Sequence, residues 1–319
     1  MNVFKQVMDE IGELLDGAKN LEPDEQDELV FLVKTAKDAI NSWKAHQLRT
    51  VNQDQARLDV INNLTEEDVL ITQDFAMKFM PVKFREAQKD FFGKKGLSWH
   101  ITVVLRKNAS GQLESQTFVH ILEGGLQDSQ TIVPIMTHVL TCLKTQHPEI
   151  TNAYYRQDNA GCYHSGTTVL ASKLITERSG VFLRQLDFSD PQGGKGAADR
   201  KAAQIKCHIK AHINQGNSVT TAKELESAIL SQGGIKGVRV AVVDTTPNQA
   251  VSHKLTGISK LNNFTFSDEG LKVQRAYKIG NGKDFAWKSV EGILFLNLFN
   301  NMVAINAWNI RIEYQCYFC

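Results

Sequence analysis

The sequence predicts an α/β fold in which a mixed five-stranded sheet is flanked by helices. Residues 69–122 contain three apolar, β-branched segments separated by turn-rich stretches, a pattern typical of an antiparallel meander. From residue 128 onward, segments with helical periodicity alternate with short apolar segments, which is typical of strands joined by crossover helices. Three meandering strands followed by alternating units indicate a mixed sheet with helices on its faces.

Residues 1–62 are predicted to be helical. Apolar residues recur at helical spacing in residues 3–15 and again from Leu29 to Trp43. Pro23, followed by acidic residues, is typical of a first helical turn. We expect this segment to form a helical layer or bundle that takes no part in chemistry, because it holds apolar stripes without a converging polar cluster.

The central region, residues 66–215, is predicted to follow the order β-β-β-α-β-α-β-α. Asp128 or Ser129 can cap the first of its helices, and further helices begin near residues 166 and 196. The predicted strands cover residues 69–79, 97–107, 116–122, 153–157 and 181–188.

Residues 216–319 are predicted to form a smaller α+β extension. Thr220 or Thr221 can cap a helix, residues 238–243 read as a strand, and residues 264–277 resemble a hairpin. Residues 290–319 are apolar and asparagine-rich without helix caps, so a buried strand pair and a segment that does not fold alone both stay open.

Composition favours a globular protein of a reducing compartment. The 319 residues carry a net charge of +1, so overall charge does not indicate a partner. Five scattered cysteines suit the nucleus or cytoplasm better than a disulfide scaffold. Neither a secretory signal nor an apolar run of about 18 residues is found, so we expect a protein that is not secreted and does not enter a membrane.

Three aspartates occupy positions that suggest a functional role. Asp74 interrupts an apolar strand, Asp158 follows a strand end at a glycine turn, and Asp199 lies where a glycine loop becomes a helix. Carboxylates that a sheet brings together form a site for hard divalent cations such as Mg²⁺ or Mn²⁺, which bridge phosphates. Aspartate is depleted in strands, so Asp74 is the hardest of the three to explain as a structural residue.

The third position and its neighbourhood stay open. Asp199 is equally well explained as a helix-capping residue, and Asp190 and Asp187 are its rivals. Asn159 and His164, beside Asp158, are candidates for orienting water or a phosphate, but a turn-stabilising asparagine and a surface histidine explain them equally well. Cys162 with His164 is weak support for zinc, because no second ligand pair lies nearby.

Basic residues gather near the proposed acidic site. A polynucleotide backbone attracts such residues without sequence specificity, although a solvated surface is their ordinary role. One group follows the first strand, where phenylalanines are interleaved, and the other flanks Asp199. The candidates for contacting nucleic acid are Lys78, Lys83, Arg85, Lys94, Lys95, Lys195, Arg200, Lys201, Lys206 and Lys210.

The element order and its acidic residues resemble the ribonuclease H-like superfamily, and more narrowly the catalytic domains of DDE- or DDD-type transposases and integrases, including transposon-derived animal proteins. The resemblance covers residues 66–215. It implies that Asp74, Asp158 and Asp199 are catalytic ligands of Mg²⁺ or Mn²⁺ and that DNA is the partner. Integrases usually carry glutamate at the third position, so Asp199 departs from their pattern.

Three functions are compatible with this reading. The first is an active metal-dependent polynucleotidyl transferase or nuclease, and the second is a domesticated, inactive relic that still binds nucleic acid. The third is an ATP-dependent enzyme of the sugar-kinase type, which paired phosphate-loop hairpins would favour and for which the sequence shows no convincing pair. A homo-oligomer is compatible with all three.

Overall fold

The computed structural model describes residues 2–17, 22–124, 126–189, 196–244 and 257–287. The chain divides into two compact units, Met1–Val51 and Asn52–Cys319. The predictions for Asp190, Lys195 and residues 290–319 fall outside the described residues.

Both predicted N-terminal helices are present. They are α1 (Asn2–Asp16) and α2 (Pro23–Asn63), and Pro23 begins the second helix as predicted. Within the first unit, Lys37 forms an ion pair with Asp9 at 2.8 Å, and the Lys44 ammonium lies 3.6 Å from the centre of the Phe4 ring. These contacts join α1 to the first half of α2.

The second unit contains one mixed sheet covered by helices. Its strands are β1 Asp68–Phe79, β2 Leu97–Lys107, β3 Leu113–Glu123, β4 Asn152–Gln157, β5 Phe182–Phe188, β6 Val238–Asp244, β7 Asn263–Phe266, β8 Gly270–Gln274 and β9 Lys283–Ala286. Its helices beyond α2 are α3 Gln88–Phe91, α4 Ser129–Gln146, α5 Gly166–Leu170, α6 Ser172–Ser179, α7 Ala197–Asn214 and α8 Ala222–Leu230.

The centre of the sheet has the order β3-β2-β1-β4-β5. β2 is antiparallel to both β1 and β3, whereas β4 is parallel to β1 and β5. The predicted element order, three meandering strands followed by alternating helices and strands, is confirmed. The described residues therefore form a mixed α/β arrangement.

The prediction of five strands is wrong, because the described residues form a sheet of nine. β6 pairs in parallel with β3 at one edge, and the meander β7-β8-β9 joins β5 at the other. A sheet of five strands would expose two rows of unpaired backbone groups at its edges. Strands predicted for a separate C-terminal extension satisfy those groups instead.

Alternation along the strands divides the core into two faces. Val69 and Ile71 of β1 belong to the core that α4, α5 and α6 cover. Ala76 packs against the other core, to which α7 and α8 contribute. Successive side chains of a strand point to opposite faces, so Asp74 lies on the same face as Ala76, the face of α7. Within the described ranges, no helix is both long and apolar enough to cross a lipid bilayer.

Candidate functional site

The strand register sets Asp74 and Asp158 side by side at one edge of the sheet. In the parallel pair β1–β4, Thr72 lies opposite Arg156. Two residues beyond this pair, Asp74 lies on β1, and Asp158 comes directly after the end of β4. The strands that carry these two acids are therefore adjacent, as predicted, and neighbouring strands lie about 4.8 Å apart.

A glutamine pair fixes this register directly before the two acids. Gln73 Nε2 donates a hydrogen bond to Gln157 Oε1 at 2.6 Å, and both side chains are buried. Asp158 then begins a tight turn, in which its Oδ1 accepts a hydrogen bond from the Ala160 backbone N–H at 2.9 Å. The turn holds the Asp158 carboxylate at the end of β4 rather than leaving it on a free loop.

Asp74 is influenced by two other negatively charged groups, the carboxylates of Asp158 and Asp199. Burial, the Asp158 carboxylate and the Asp199 carboxylate raise the pKa of Asp74 to about 7, and a hydrogen bond from the Phe75 backbone only partly offsets them. The Asp158 and Asp199 carboxylates therefore both act on Asp74. A buried carboxyl group that faces like charges keeps its proton near neutral pH unless a cation compensates the repulsion.

Asp199 is positioned by the start of α7. Its Oδ2 accepts a hydrogen bond from the Gly196 backbone N–H at 2.9 Å, which is one half of a capping box. The side chain is exposed, and Gly196 lies beside β1, since a Cβ placed on it would stand 3.6 Å from Thr72 Cγ2. Asp199 therefore caps α7 in this structure, which is the structural explanation that the sequence left open.

A cavity of about 590 Å³ opens at the edge where Asp74 and Asp158 meet. Asp128 is a third acidic residue in its wall, and none of its described lining residues is Lys, Arg or His. Asp199 is not part of the lining. The cavity is lined by Asp74, Phe75, Gln127, Asp128, Ser129, Gln130, Asp158, Ala160, Gly161, Cys162, Tyr163, Ser165 and Thr167.

Asp128 and Ser129 were the two predicted caps of α4, and Asp128 is the cap in the structure. That Asp128 also borders the cavity was not predicted. Asp128 Oδ1 accepts a hydrogen bond from the Thr131 backbone N–H at 2.9 Å, as expected of an N-cap. The signal for its location was present in the strand order. β2 is antiparallel to both of its neighbours, so β3 runs parallel to β1. The helix after β3 therefore begins at the end of the sheet where β1 carries Asp74.

The acids do not form a closed metal cage. In the described parts of the chain, no three His, Cys, Asp or Glu side chains are grouped so that they could hold one metal ion. Mg²⁺ often takes only one or two protein carboxylates and completes its shell with water and substrate phosphates. Asp74 and Asp158 fit that type of open site.

Asp187, one rival for the third position, belongs to a different cluster. It is buried in β5, where Gln185 Nε2 and Asn263 Nδ2 donate hydrogen bonds to its two oxygens. Burial raises the pKa of Asp187 to about 6, while these two amides and Arg156 oppose the shift. Both of its oxygens are therefore already engaged in hydrogen bonds.

The accessory residues predicted beside Asp158 have different environments. His164 Nε2 lies 2.7 Å from the Leu261 carbonyl oxygen, and its ring centre lies 4.3 Å from that of Phe188, so it packs toward β5 and β7. The Asn159 Oδ1 atom is buried and has no hydrogen-bond partner within the part of the chain that the structure describes. Neither residue lines the cavity.

Basic residues after β1 are partly committed to local contacts. Lys94 forms an ion pair with Glu86 and donates to the Pro81 carbonyl oxygen, and Lys83 lies 3.5 Å from Asp90. The remaining candidates of this group are exposed side chains without an acidic partner among the described ion pairs, namely Lys78, Arg85 and Lys95.

The basic residues of α7 follow Asp199 along the helix. Lys206 is half-buried with its ammonium 5.9 Å from the Trp99 ring centre, and Lys201 lies 3.3 Å from Gln204 Oε1. Arg200 and Lys210 are exposed. This surface is available to a polyanion that approaches the acids from the α7 face.

A family model described as "Domain of unknown function (DUF8701)" matches residues 53–263. No curated protein matches the chain. Among solved structures, the chain is similar to the Mos1 transposase paired-end complex with left transposon end, with 11% identity over 69% of this chain and 68% of that chain and a TM-score of 0.29. It is also similar to a human cytomegalovirus terminase nuclease domain, Mn soaked and inhibitor bound, with 12% identity over 50% and 66% of the two chains and a TM-score of 0.22.

Proposed function

We propose that this chain, which belongs to the family described as "Domain of unknown function (DUF8701)", is a metal-dependent polynucleotidyl transferase or nuclease of the transposase type. The reaction is the cutting or joining of DNA phosphodiester bonds. Asp74 and Asp158 are its principal catalytic residues and Asp199 is the third, within a catalytic core of residues 66–215. The protein acts in the nucleus or cytoplasm.

The observation that carries the proposal is the placement of three acidic residues, Asp74, Asp128 and Asp158, in the wall of one cavity. Structural carboxylates are normally surrounded by donors or cations, as Asp187 is. Asp74 instead faces two other carboxylates, which together with burial raise its pKa to about 7. Strongly shifted pKa values in a cleft are typical of functional sites, and a cavity opens at this one.

A divalent cation fits these residues chemically. The cavity wall offers carboxylate oxygens and no cationic side chain among its described residues, a donor set suited to Mg²⁺ or Mn²⁺. When bound, such an ion polarises a phosphoryl oxygen and lowers the pKa of bound water. Asp74 and Asp158 would hold it from two adjacent strands, whose register the Gln73–Gln157 pair fixes.

DNA is the partner that the surrounding charge favours. One group of basic residues lies in β1 or between β1 and β2, after Asp74 in the chain, and consists of Lys78, Arg85 and Lys95. A second group, Arg200 and Lys210, follows Asp199 along α7. Contacts of this kind neutralise phosphates and position a backbone without reading its sequence.

The direct test is strand cleavage of a labelled DNA with Mg²⁺ or Mn²⁺. Asp74→Asn, Asp158→Asn and Asp199→Asn should each abolish cleavage while DNA binding in EDTA stays nearly intact. Asp284→Asn, at an exposed position in β9, is the matched control and should cleave normally. If Asp190→Asn abolishes cleavage and Asp199→Asn does not, Asp190 is the third ligand instead.

Binding is tested separately from cleavage. Lys210→Ala should weaken DNA binding in a salt-dependent way because a phosphate contact is lost. Lys206→Ala should have a smaller effect than Lys210→Ala, since Lys206 is half-buried beside Trp99. Equal binding by both variants and the unmutated chain would exclude α7 from the DNA surface.

A second candidate is a domesticated relic that binds DNA without turnover. Two observations favour it: the described residues contain no three-ligand metal group, and Asp199 is engaged in its capping box. The relic predicts DNA binding without cleavage and without Mn²⁺ binding at Asp74. Metal binding at the acid pair therefore separates the two candidates.

A further inference from the structure

The connection between β1 and β2 projects apolar side chains into solvent. We call residues 77–96 the β1–β2 arm. Phe91 and Phe92 are 65% and 72% exposed, and Phe84 is 42% exposed. Met77 and Met80 at the base of the arm are exposed as well. Phe91 and Phe92 also contact each other edge to face, with ring centres 5.6 Å apart. Single exposed apolar residues are ordinary, but adjoining ones mark an interaction surface.

The arm is also the most basic part of the described chain around the site. It carries six basic residues against two acidic ones, a net charge of +4, while the whole chain has a net charge of +1. The two acidic residues, Glu86 and Asp90, are paired with Lys94 and Lys83. The unpaired excess is carried by Lys78, Arg85, Lys89 and Lys95.

The arm is fixed in place rather than loosely attached. Val82 and Val219 exchange two backbone hydrogen bonds of 2.8 Å, and the Phe84 backbone N–H donates to Ser218 Oγ at 3.2 Å. At the base, Trp99 Nε1 donates to the Met77 carbonyl oxygen at 3.0 Å. Its exposed phenylalanines therefore form a preorganised surface, for which binding costs less ordering entropy.

We propose that the β1–β2 arm is a stacking platform for unpaired nucleotides of a single-stranded nucleic acid. Exposed aromatic faces bind successive bases, and lysines beside them bind the backbone, which is the recognised chemistry of single-strand binding. Duplex DNA hides its base faces, so it would use the charge but not the phenylalanines. A duplex surface alone therefore does not account for Phe91 and Phe92.

The location of the arm connects it to the acidic site. β1 carries Asp74 and, five residues later, ends at Phe79 within the arm. A single-stranded nucleic acid whose backbone reached Asp74 and Asp158 would be able to continue onto Phe91 and Phe92 at the same end of the sheet. This inference deepens the proposed function, since it makes the substrate a nucleic acid with an unpaired segment beside the reacting phosphate.

The test measures binding of a fluorescein-labelled oligothymidylate and of a duplex of equal length, both in EDTA. The full chain should bind the single strand more tightly. The double variant Phe91→Ala/Phe92→Ala should weaken single-strand binding about tenfold or more and change duplex binding little. Phe31→Ala is the matched control, because Phe31 is 66% exposed on α2, away from the arm in sequence.

Two further variants separate stacking from other apolar contacts. Phe91→Leu/Phe92→Leu keeps an apolar surface but removes the aromatic faces, so it should lose affinity nearly as the alanine variant does. Lys89→Ala/Lys95→Ala should reduce the dependence of single-strand affinity on salt, because two phosphate contacts are lost. Full affinity in the leucine variant would overturn the stacking proposal in favour of an apolar partner such as a protein.

Failure of this inference is distinguishable from failure of the proposed function. The loss of single-strand affinity in Phe91→Ala/Phe92→Ala should appear in EDTA, because the platform needs no metal. Equal affinity for single strand and duplex, unchanged by loss of Phe91 and Phe92, would overturn the platform and leave metal-dependent cleavage untouched. Binding of anionic lipid vesicles in preference to the oligonucleotide would also overturn it.

Discussion

Asp74 and Asp187 are acidic residues of the same sheet with opposite surroundings. Asp187 is buried, yet Gln185, Asn263 and Arg156 supply two hydrogen bonds and a positive charge. Asp74 is less buried but faces Asp158 and Asp199, and its pKa is raised further, to about 7 against about 6. Burial alone therefore does not identify a functional acid. The two acids differ in the surrounding charge, and the proposed metal site rests on that difference, because a bound cation would remove the repulsion at Asp74.

The largest effect on stability is expected from substitution of Asp187, whose carboxylate oxygens both accept hydrogen bonds. Asp187→Asn replaces one accepting oxygen with an NH₂ group, which then faces the donor of Gln185 or Asn263. The free energy of unfolding at neutral pH should fall by about 2–3 kcal/mol, since a buried donor loses its partner. Chemical denaturation measures this change. An unchanged stability would show that the cluster around Asp187 is not structural.

Asp74→Asn should have a smaller effect of the opposite sign. The folded-state pKa of Asp74 is raised to about 7 from 3.8, so the folded chain holds its proton while the unfolded chain has lost it. Native stability contributed by Asp74 therefore falls as pH rises from about 4 to about 7. The substitution should stabilise the protein by about 1 kcal/mol at pH 7.5, a value discounted because the site is partly open to solvent.

The control for Asp74→Asn is the same measurement at pH 3.5. There the carboxyl group is protonated in both the folded and the unfolded chain, and the difference between variant and unmutated protein should nearly vanish. A gain in stability that is equal at both pH values would point to packing rather than charge.

The smallest effects are expected on the pKa of Asp74 itself. Asp158→Asn should lower it, and Asp199→Asn should lower it by less, because Asp158 exerts the larger of the two charge effects. Carbon-detected NMR titration of the Asp74 carboxyl group measures both shifts. A larger shift in the Asp199 variant would mean that α7 lies closer to Asp74 than β4 does.

Much of the fold follows from the sequence because its signals are local. Strand periodicity, turn residues and helix caps predicted the order of β1 to β5 and α4 to α7. Edge pairing is not a local signal. Phe118 lies opposite Arg239, and Leu186 lies opposite Phe264, across long stretches of chain. An isolated apolar strand does not indicate which sheet edge it will join, so β6, β7 and β8 were expected in the C-terminal extension, and β9 was not predicted as a strand.

The site shows the same limit. Asp74 and Asp158 stand out because an aspartate inside a strand and one at a strand end are unusual. That Lys94 and Lys83 pair with Glu86 and Asp90 depends on how the β1–β2 arm folds back, which composition does not reveal. The Asp128 cap borders the cavity for a topological reason, the direction of β3, and not because of any motif.

Mn²⁺ binding at the acid pair tests the central claim most directly. Isothermal titration or electron paramagnetic resonance should detect Mn²⁺ bound by the full chain, with affinity that rises with pH through about 7 as Asp74 loses its proton. Binding should be lost in Asp74→Asn/Asp158→Asn and kept in the Asp284→Asn control. Absence of Mn²⁺ binding, or binding that survives loss of both aspartates, would contradict the account.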